Sequence, residues 1–130
     1  KAEIPAANGH GTASGIAKFF GILASGGSRN GQRLLKSETI KEATTPKTSG
    51  PDIVLFQAPY KFGLGYQVDA PFSPIGMKDG MFGHTGIAGA TGFADLNYKV
   101  GFGFTNNRQH SLGKLYRTSN SLAKKLYEIL

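Results

Sequence analysis

Apolar residues recur at three- and four-residue spacing directly after Thr12, and this pattern predicts an amphipathic helix. Its apolar face consists of Ala13, Ile16, Ala17, Phe20, Leu23 and Ala24. Thr12 suits the N-cap because its hydroxyl can accept a hydrogen bond from the first turn. Gly26-Gly27 ends the pattern. A second, shorter helix is predicted from a cap at Ser37 to about Thr44, since Pro46 cannot continue it.

The middle of the chain combines prolines with weak periodicity. Residues 46–60 hold three prolines and little alternation, which predicts a long loop. Residues 62–68 alternate well enough to predict a strand, with Gly63 and Gly65 on one side and the larger side chains on the other. Residues 69–80 then predict a turn-rich crossing.

The second half of the chain predicts a run of short strands. These are residues 81–84, 90–95 and 100–105, with a hairpin turn at residues 96–99. A terminal helix follows, with one apolar stripe. The stripe consists of Leu112, Leu115, Tyr116, Leu122, Ala123, Leu126 and Leu130.

The order of these elements predicts an α+β fold in which an antiparallel β-sheet is flanked by the N- and C-terminal helices. The length of 130 residues fits one domain, and no repeat or boundary divides it. We therefore interpret residues 1–130 as a single domain.

Glycine is over-represented, at 19 of 130 residues, against roughly 7% in average usage. The glycines are not periodic and stand beside phenylalanines, so collagen and a flexible linker are poor interpretations. Glycine within strands often marks a close backbone approach. The composition indicates a soluble, globular protein.

The formal net charge is +7, which raises the question of an acidic partner such as nucleic acid. The basic residues are scattered, however, and only Lys124 and Lys125 are adjacent. We therefore expect no nucleic-acid partner, and a basic binding module is the weakest of the functional hypotheses. Tight nucleic-acid binding with a steep salt dependence would reverse this ranking.

The absence of cysteine excludes disulfides and thiolate metal sites. His10, His84 and His110 are far apart with no acidic residues clustered beside them, so we expect no metal and no other cofactor. No apolar stretch approaches the roughly 20 residues of a membrane span. The sequence begins at Lys1 without an initiator Met, which suggests a fragment or a mature product. Localisation stays open.

The chemistry-bearing segment is Phe82-Gly83-His84-Thr85-Gly86, at the end of a predicted strand. A ring nitrogen, a hydroxyl and a glycine at adjacent positions can surround a polar or anionic group, because glycine lets a ligand approach the backbone. The alternative interpretation is a polar strand end with a tight turn from Gly86 to Gly89. Composition alone favours this alternative.

A set of motifs in a fixed order resembles the serine β-lactamase and penicillin-binding-protein superfamily. The matching segments are Pro5–Thr12, Lys61–Tyr66, Phe82–Gly86, Gly89, Gly92–Asp95, Gly101–Phe104 and Thr105–Arg108. In that family a Lys-Thr-Gly or His-Thr-Gly triplet lies on a sheet strand near the C-terminus. The chain resembles the C-terminal part of a class C-like member with the His-Thr-Gly variant, and so a fragment of the β-lactamase/transpeptidase-like fold.

The resemblance implies a role for each residue of this segment. His84 would anchor a substrate carboxylate or polarise the acylation machinery, Thr85 would line the pocket and offer its hydroxyl, and Gly86 would leave room for the acyl group. The backbone N–H of Ile87 would be one of two oxyanion-hole donors. Histidine in place of lysine favours an esterase or peptidase over efficient β-lactam hydrolysis.

The nucleophile and general base implied by the resemblance are not found in this chain. They would be a Ser-x-x-Lys pair one helical turn apart and a Tyr-x-Asn or Ser-x-Asn motif, and no Tyr-x-Asn occurs. Ser121-Leu122-Ala123-Lys124 matches the first pattern literally. It follows the His-Thr-Gly strand, however, and such a match is expected by chance about once in a chain of this composition. We expect the chain alone to be inactive.

Two hypotheses follow for the parent protein. The first is a serine hydrolase that cleaves a small-molecule or peptide ester or amide, with residues 82–87 forming one wall of its pocket. The alternative is a non-catalytic structural or assembly protein with the same fold. The resemblance also implies that strands from the N-terminal region of the parent complete the sheet, and this sequence lacks them. Their absence would leave a sheet edge or helix face exposed. We therefore expect the chain to self-associate or to need the remainder of its parent.

Overall fold

The computed structural model describes residues 3–5, 9–68, 78–109, 111, 114 and 116–130. Its helices are α1 (Ala13–Ala24), α2 (Ser37–Thr44) and α3 (Arg117–Ile129). Its strands are β1 (Ser28–Arg29), β2 (Gln32–Arg33), β3 (Thr48–Asp52), β4 (Ala58–Phe62), β5 (Gln67–Val68), β6 (Met81–Thr85), β7 (Thr91–Asp95) and β8 (Val100–Phe104).

The strands form one large antiparallel sheet and one small hairpin in the described part of the chain. The large sheet has the order β3-β4-β5-β6-β7-β8, and β1 pairs only with β2. Each neighbouring pair in the large sheet is antiparallel. The predicted α+β fold is confirmed.

The sheet buries apolar side chains on both faces. On the α1 side the buried cluster consists of Phe20, Leu23, Ala24, Ile40, Val68, Phe82 and Ala94. On the α3 side Met81, Phe93 and Ala123 are buried, with Tyr60, Phe102 and Tyr127 packed against them. Met81 and Phe82 are neighbours that point to opposite faces, as strand geometry requires. The predicted flanking by the first and last helices is thereby confirmed.

Helix α1 follows its predicted bounds closely. The Thr12 hydroxyl accepts a hydrogen bond from the Gly15 N–H at 3.0 Å, which confirms the N-cap. Phe20, Leu23 and Ala24 are buried on the predicted face. The spacing of apolar residues was a sufficient signal here because one side of the helix is buried and the other is not.

Glycines bring α1 into direct contact with the sheet backbone. A Cβ on Gly101 would lie 2.0 Å from the Gly21 nitrogen, and one on Gly103 would lie 2.4 Å from the Ala13 carbonyl oxygen. A Cβ on Gly92 would lie 2.5 Å from the ring of Phe20. These three positions explain part of the high glycine content, since each is a place where no side chain fits.

The loop predicted over residues 46–60 is wrong, because β3 and β4 pair there as a hairpin. Pro51 lies opposite Pro59 in the register. Alternate pairs of an antiparallel ladder exchange no hydrogen bonds, so two residues without an N–H can face each other. Asp52 closes the turn: its carboxylate accepts from the Leu55 N–H at 2.8 Å and its carbonyl from the Gln57 N–H at 2.8 Å.

The strand predicted over residues 62–68 is also wrong, because the chain turns within it. Phe62 pairs with Gln67, which places residues 63–66 in a turn. A Cβ on Gly63 would lie 2.1 Å from the Ala43 carbonyl oxygen, and the Leu64 N–H donates to that oxygen at 2.8 Å. Gly63 thus serves a tight turn against α2 and does not alternate within a strand.

Two helix details differ from the prediction. Helix α2 has the predicted extent, but its N-cap is Lys36, and the Ser37 hydroxyl instead bonds to the Glu38 carboxylate at 3.1 Å. In α3 the buried residues are Ser119 and Ala123. Small residues of α3 face the sheet because the other side chains at this interface, chiefly aromatic ones, already fill the space. Two members of the predicted stripe are exposed, Leu122 at 49% and Leu130 at 59%, and two others, Leu112 and Leu115, lie outside the described residues.

The predicted strands of the second half are confirmed to within one residue at each end. The turn at residues 96–99 is also confirmed, and Asp95 organises it. One carboxylate oxygen of Asp95 accepts from the N–H groups of Asn97 and Tyr98 at 2.8 and 3.1 Å. Of the predicted crossing at residues 69–80, residues 69–77 lie outside the described part, and Asp79-Gly80 forms a turn.

The second carboxylate oxygen of Asp95 fixes α3 to the sheet. It accepts from the Tyr127 hydroxyl at 2.7 Å, and Asp95 is only 3% exposed. The pKa of Tyr127 is raised mainly by burial and, to a smaller extent, by this hydrogen bond. The hydroxyl therefore stays protonated as a donor, and the buried carboxylate is satisfied by three hydrogen bonds. Asp95 therefore has a structural role at the end of β7.

We expect Gly101→Ala to lower the free energy of unfolding by about 3 kcal/mol, at the upper end of the cost of overpacking, because backbone atoms block the new methyl group. Urea unfolding of the purified protein measures the change. Gly9→Ala is the matched control, since a Cβ there would meet no atom within 4 Å. Equal effects from the two substitutions would contradict the proposed role of the close contact.

Candidate active site

The candidate segment forms the end of β6 and the turn into β7. His84 and Thr85 pair with Gly92 and Thr91. The Gly86 N–H then donates to the Ala90 carbonyl at 2.8 Å, and the Gly89 N–H donates to the Gly86 carbonyl at 2.8 Å. We call residues 84–87 the rim. The rim continues the β6–β7 pairing, and the hydrogen bonds between these two strands fix its position.

One side of the rim is open. Strand β5 pairs with β6 at Phe82 and Gly83 only. Beyond Gly83 the described residues place no further strand against β6 on that side. The last two residues of β6 therefore border an open sheet edge, where a ligand can approach the backbone.

The His84 ring is held in a defined orientation. Its Nδ1 lies 2.9 Å from the Thr85 carbonyl oxygen. A carbonyl oxygen only accepts hydrogen bonds, so Nδ1 carries the hydrogen. The neutral ring then presents Nε2 as an acceptor, and His84 is exposed. The Phe62 ring lies beside it, with centroids 6.1 Å apart and planes inclined by 32°.

The backbone of Ile87 offers a free donor. Within the described residues its N–H has no hydrogen-bond acceptor, and its side chain is 61% exposed. Ile87 therefore lies at the surface, three residues after His84 in the chain. Thr85 differs from its neighbours in being only 8% exposed, so its side chain is mostly enclosed.

The turn alone does not explain the glycine at position 86. A Cβ there would meet only Ala90, at 3.8 and 3.9 Å, which is ordinary contact. Gly89 is the glycine that the turn requires, since its φ is 103°. Neither packing nor backbone conformation selects glycine at position 86. A need for open space in front of the rim gives a physical reason for it.

Asn106 holds the turn in place from the neighbouring strand. It follows β8, and its side-chain amide donates to the Ala88 carbonyl at 2.7 Å and to the Arg108 carbonyl at 2.6 Å. Asn106 thus fixes the peptide that follows Ile87. The sequence analysis missed this role because an asparagine 18 residues away carries no local pattern that connects it to the turn.

The Ser-x-x-Lys match at Ser121 and the Ser-x-Asn match of this chain have local structural roles. Ser121 donates to the Arg117 carbonyl at 2.8 Å, and no hydrogen bond joins it to Lys124 among the described residues. A second Ser-x-x-Lys match begins at Ser111, also after the His-Thr-Gly strand, with its two middle residues outside the described part. One Ser-x-Asn match, which begins at Ser28, forms the β1–β2 hairpin.

The described residues contain no group of three His, Asp or Glu side chains placed to hold a metal ion. His110 lies outside them. No helix in this part of the chain is both long and apolar enough to cross a bilayer.

Comparison with known families gives a match over residues 1–123 to the model described as Beta-lactamase. The match covers nearly the whole chain. The chain belongs to the beta-lactamase family. The resemblance that the ordered motifs indicated is thereby confirmed, and the sheet with its flanking helices is part of the β-lactamase/transpeptidase-like fold.

The chain is similar to proteins with esterase, beta-lactamase and penicillin-binding-protein names. The esterase/beta-lactamase LipL of Mycobacterium tuberculosis is 39% identical over 108 residues, which are 82% of this chain and 24% of that protein. A novel penicillin-binding protein homolog from Caulobacter crescentus superposes with a TM-score of 0.75 at 36% identity, covering 84% of this chain and 29% of that one. The chain thus spans about a quarter to a third of these relatives.

A structure of a family VIII carboxylesterase is also similar. It superposes with a TM-score of 0.64 at 28% identity, and the match covers 79% of this chain and 30% of that chain. At the level of the family, the chain is therefore part of a beta-lactamase-like serine hydrolase or esterase fold.

We expect Gly86→Ala to leave the free energy of unfolding within about 0.5 kcal/mol of the original value, because its methyl group meets only ordinary contacts. Gly83→Ala is the contrasting variant, since a Cβ there would lie 2.1 Å from the Gly92 carbonyl oxygen. Thermal unfolding of both variants measures the difference. A large loss of stability in Gly86→Ala would instead show that the turn requires glycine at position 86.

Proposed function

We propose that residues 84–87 form one wall of a serine acyl-transfer site, in a hydrolase that cleaves esters in preference to β-lactams. Ile87 supplies a backbone oxyanion donor, His84 polarises or binds the reacting groups, and Thr85 and Gly86 shape the pocket. The nucleophile and the general base come from outside these 130 residues. The observations that carry the proposal are the exposure of Ile87 and His84 and the lack, among the described residues, of an acceptor for the Ile87 N–H.

The Ile87 amide suits an oxyanion hole for electrostatic reasons. Attack on an ester carbonyl moves negative charge onto its oxygen, and a donor already aimed at that oxygen stabilises the transition state without reorganisation. The amide is positioned by the ladder of β6 and β7 and by Asn106, so its direction is set before substrate arrives. The second donor of such a site is the N–H of the nucleophile itself.

In its neutral form, His84 suits ester chemistry better than recognition of a carboxylate. A neutral His84 offers an acceptor at Nε2, which suits the hydroxyl of a nucleophile or of a leaving alcohol. It binds a substrate carboxylate only when protonated, whereas lysine at this position would always present donors. The names of the similar proteins, an esterase/beta-lactamase and a carboxylesterase, agree with this preference.

The decisive variant is Ile87→Pro, which removes the proposed donor. In the full-length protein that contains this chain, we expect kcat for a chromogenic ester such as p-nitrophenyl acetate to fall about 100- to 1,000-fold, the usual cost of one oxyanion-hole donor. Ile87→Ala keeps the N–H and removes only an exposed side chain, so it is the matched control and should retain activity.

Two outcomes would contradict the proposal. Equal activity of Ile87→Pro and Ile87→Ala would exclude the oxyanion role. Absence of turnover by the full-length protein with every ester tested would favour a non-catalytic structural protein with the same fold.

The location of the nucleophile is tested separately on the 130-residue chain. We expect no turnover of p-nitrophenyl acetate or a chromogenic cephalosporin by a pure sample, because Ser121, which begins a Ser-x-x-Lys match, donates to the Arg117 carbonyl and is not bonded to Lys124. Turnover that disappears in Ser121→Ala would show that the nucleophile lies in this chain after all.

A further inference from the structure

A shallow groove lies on one face of the β3–β4 hairpin. Its volume is about 90 Å³. Thr48, Gly50 and Asp52 of β3 line one side, and Tyr60 and Phe62 of β4 line the other. In the register Thr48 lies opposite Phe62 and Gly50 opposite Tyr60, so these residues share a face of the hairpin. We call this feature the hairpin groove.

The groove exists because position 50 has no side chain. A Cβ on Gly50 would meet no atom within 4 Å, so the space in front of Tyr60 is open. The φ of Gly50 is 131°, a conformation that side chains rarely adopt, and the backbone thus maintains this gap. The groove is therefore a property of the hairpin backbone.

The aromatic wall of the groove is anchored from behind. Tyr60 packs against the cluster of Met81, Phe93 and Ala123 on the α3 side of the sheet. The rings of Tyr60 and Phe62 lie 6.0 Å apart with planes inclined by 33°. Both residues remain partly exposed. Two held rings with accessible surface form a preorganised apolar platform, which lowers the entropic cost of binding.

One aromatic ring of the groove adjoins the candidate active site. The Phe62 ring is 6.1 Å from the His84 ring and inclined by only 32°. Tyr60, Phe62 and His84 therefore form an aromatic row, in steps of about 6 Å, that leads from the groove to the rim. A substrate whose carbonyl lies at Ile87 can extend along this row.

We propose that the hairpin groove is a substrate subsite for an uncharged aromatic group of an ester. This inference rests on the proposed function, since it names the class of substrate for the same site. Aromatic rings pair favourably at centroid distances of about 4.5–7 Å in offset or tilted arrangements, and the row offers such surfaces. Asp52 lies at one end of the groove, so its carboxylate disfavours an anionic group there.

The test uses the full-length protein and a pH-indicator assay, because the esters then need no chromophore. Methyl 3-phenylpropionate carries the ring on the acyl side and benzyl acetate carries it on the alcohol side. Methyl 3-cyclohexylpropionate has a similar size without aromaticity, and methyl acetate has no group that reaches the groove. We expect kcat/KM to be higher for one of the aromatic esters than for the cyclohexyl ester, and that ester identifies the side of the carbonyl that enters the groove.

Tyr60→Leu and Phe62→Leu keep apolar bulk and remove the rings. We expect each to lower the ratio of kcat/KM for the preferred aromatic ester to that for methyl acetate about tenfold, mainly through KM. Thr48→Trp tests the same site independently, since Thr48 is exposed on the border strand β3 and a large ring there fills the groove without entering the core. It should lower the same ratio.

Phe56→Leu is the matched control. Phe56 is 88% exposed in the turn of the same hairpin and does not line the groove. It should leave the ratio unchanged. If no ester is hydrolysed by the unaltered protein, the proposed function fails and the subsite with it. If esters are hydrolysed but the ratio is the same in Tyr60→Leu, Phe62→Leu and Thr48→Trp, the subsite alone is excluded.

Discussion

The backbone of β8 and the backbone of α1 meet at Gly101, where a Cβ would lie only 2.0 Å from the Gly21 nitrogen. Gly103 and Gly92 extend this contact along the helix. Because interiors are packed densely, a helix seated directly on backbone cannot shift without separating from the strands. The contact fixes the depth of α1 above the sheet, and with it the positions of Phe20 and Phe82 in the core.

The candidate site derives its geometry from the same part of the sheet. The rim ends β6, which is held by β7, which in turn is held by β8 under α1. Asn106, directly beyond β8, binds the turn at Ala88. A donor placed by strands keeps its direction better than one on a free loop. The backbone amide of Ile87 is therefore supported by contacts that begin at the glycines.

The sequence predicts the elements whose signals are local. Helix α1 was predicted because one of its faces is buried and the spacing of its apolar residues shows it. The strands around the rim were predicted as short runs bounded by turn residues. The β3–β4 hairpin was missed because Pro51 and Pro59 are typical of loops, and only their pairing makes them compatible with a ladder. Gly63 was placed in a strand because its reason, contact with Ala43, lies 20 residues away. The positions of His84 and Ile87 were expected from resemblance, but the ring orientation of His84 depends on a three-dimensional contact.

The border strands of the large sheet, β3 and β8, differ in their ability to pair with a further strand, and Pro51 is one reason. Along β3, Pro51 presents no N–H and Gly50 departs from regular strand geometry, so a further strand would find few partners there. Strand β8 has five residues, no proline and no neighbour on its outer side among the described residues. The sheet is therefore suited to grow in one direction only. Any chain added at that border lies at the far end of the sheet from the aromatic row.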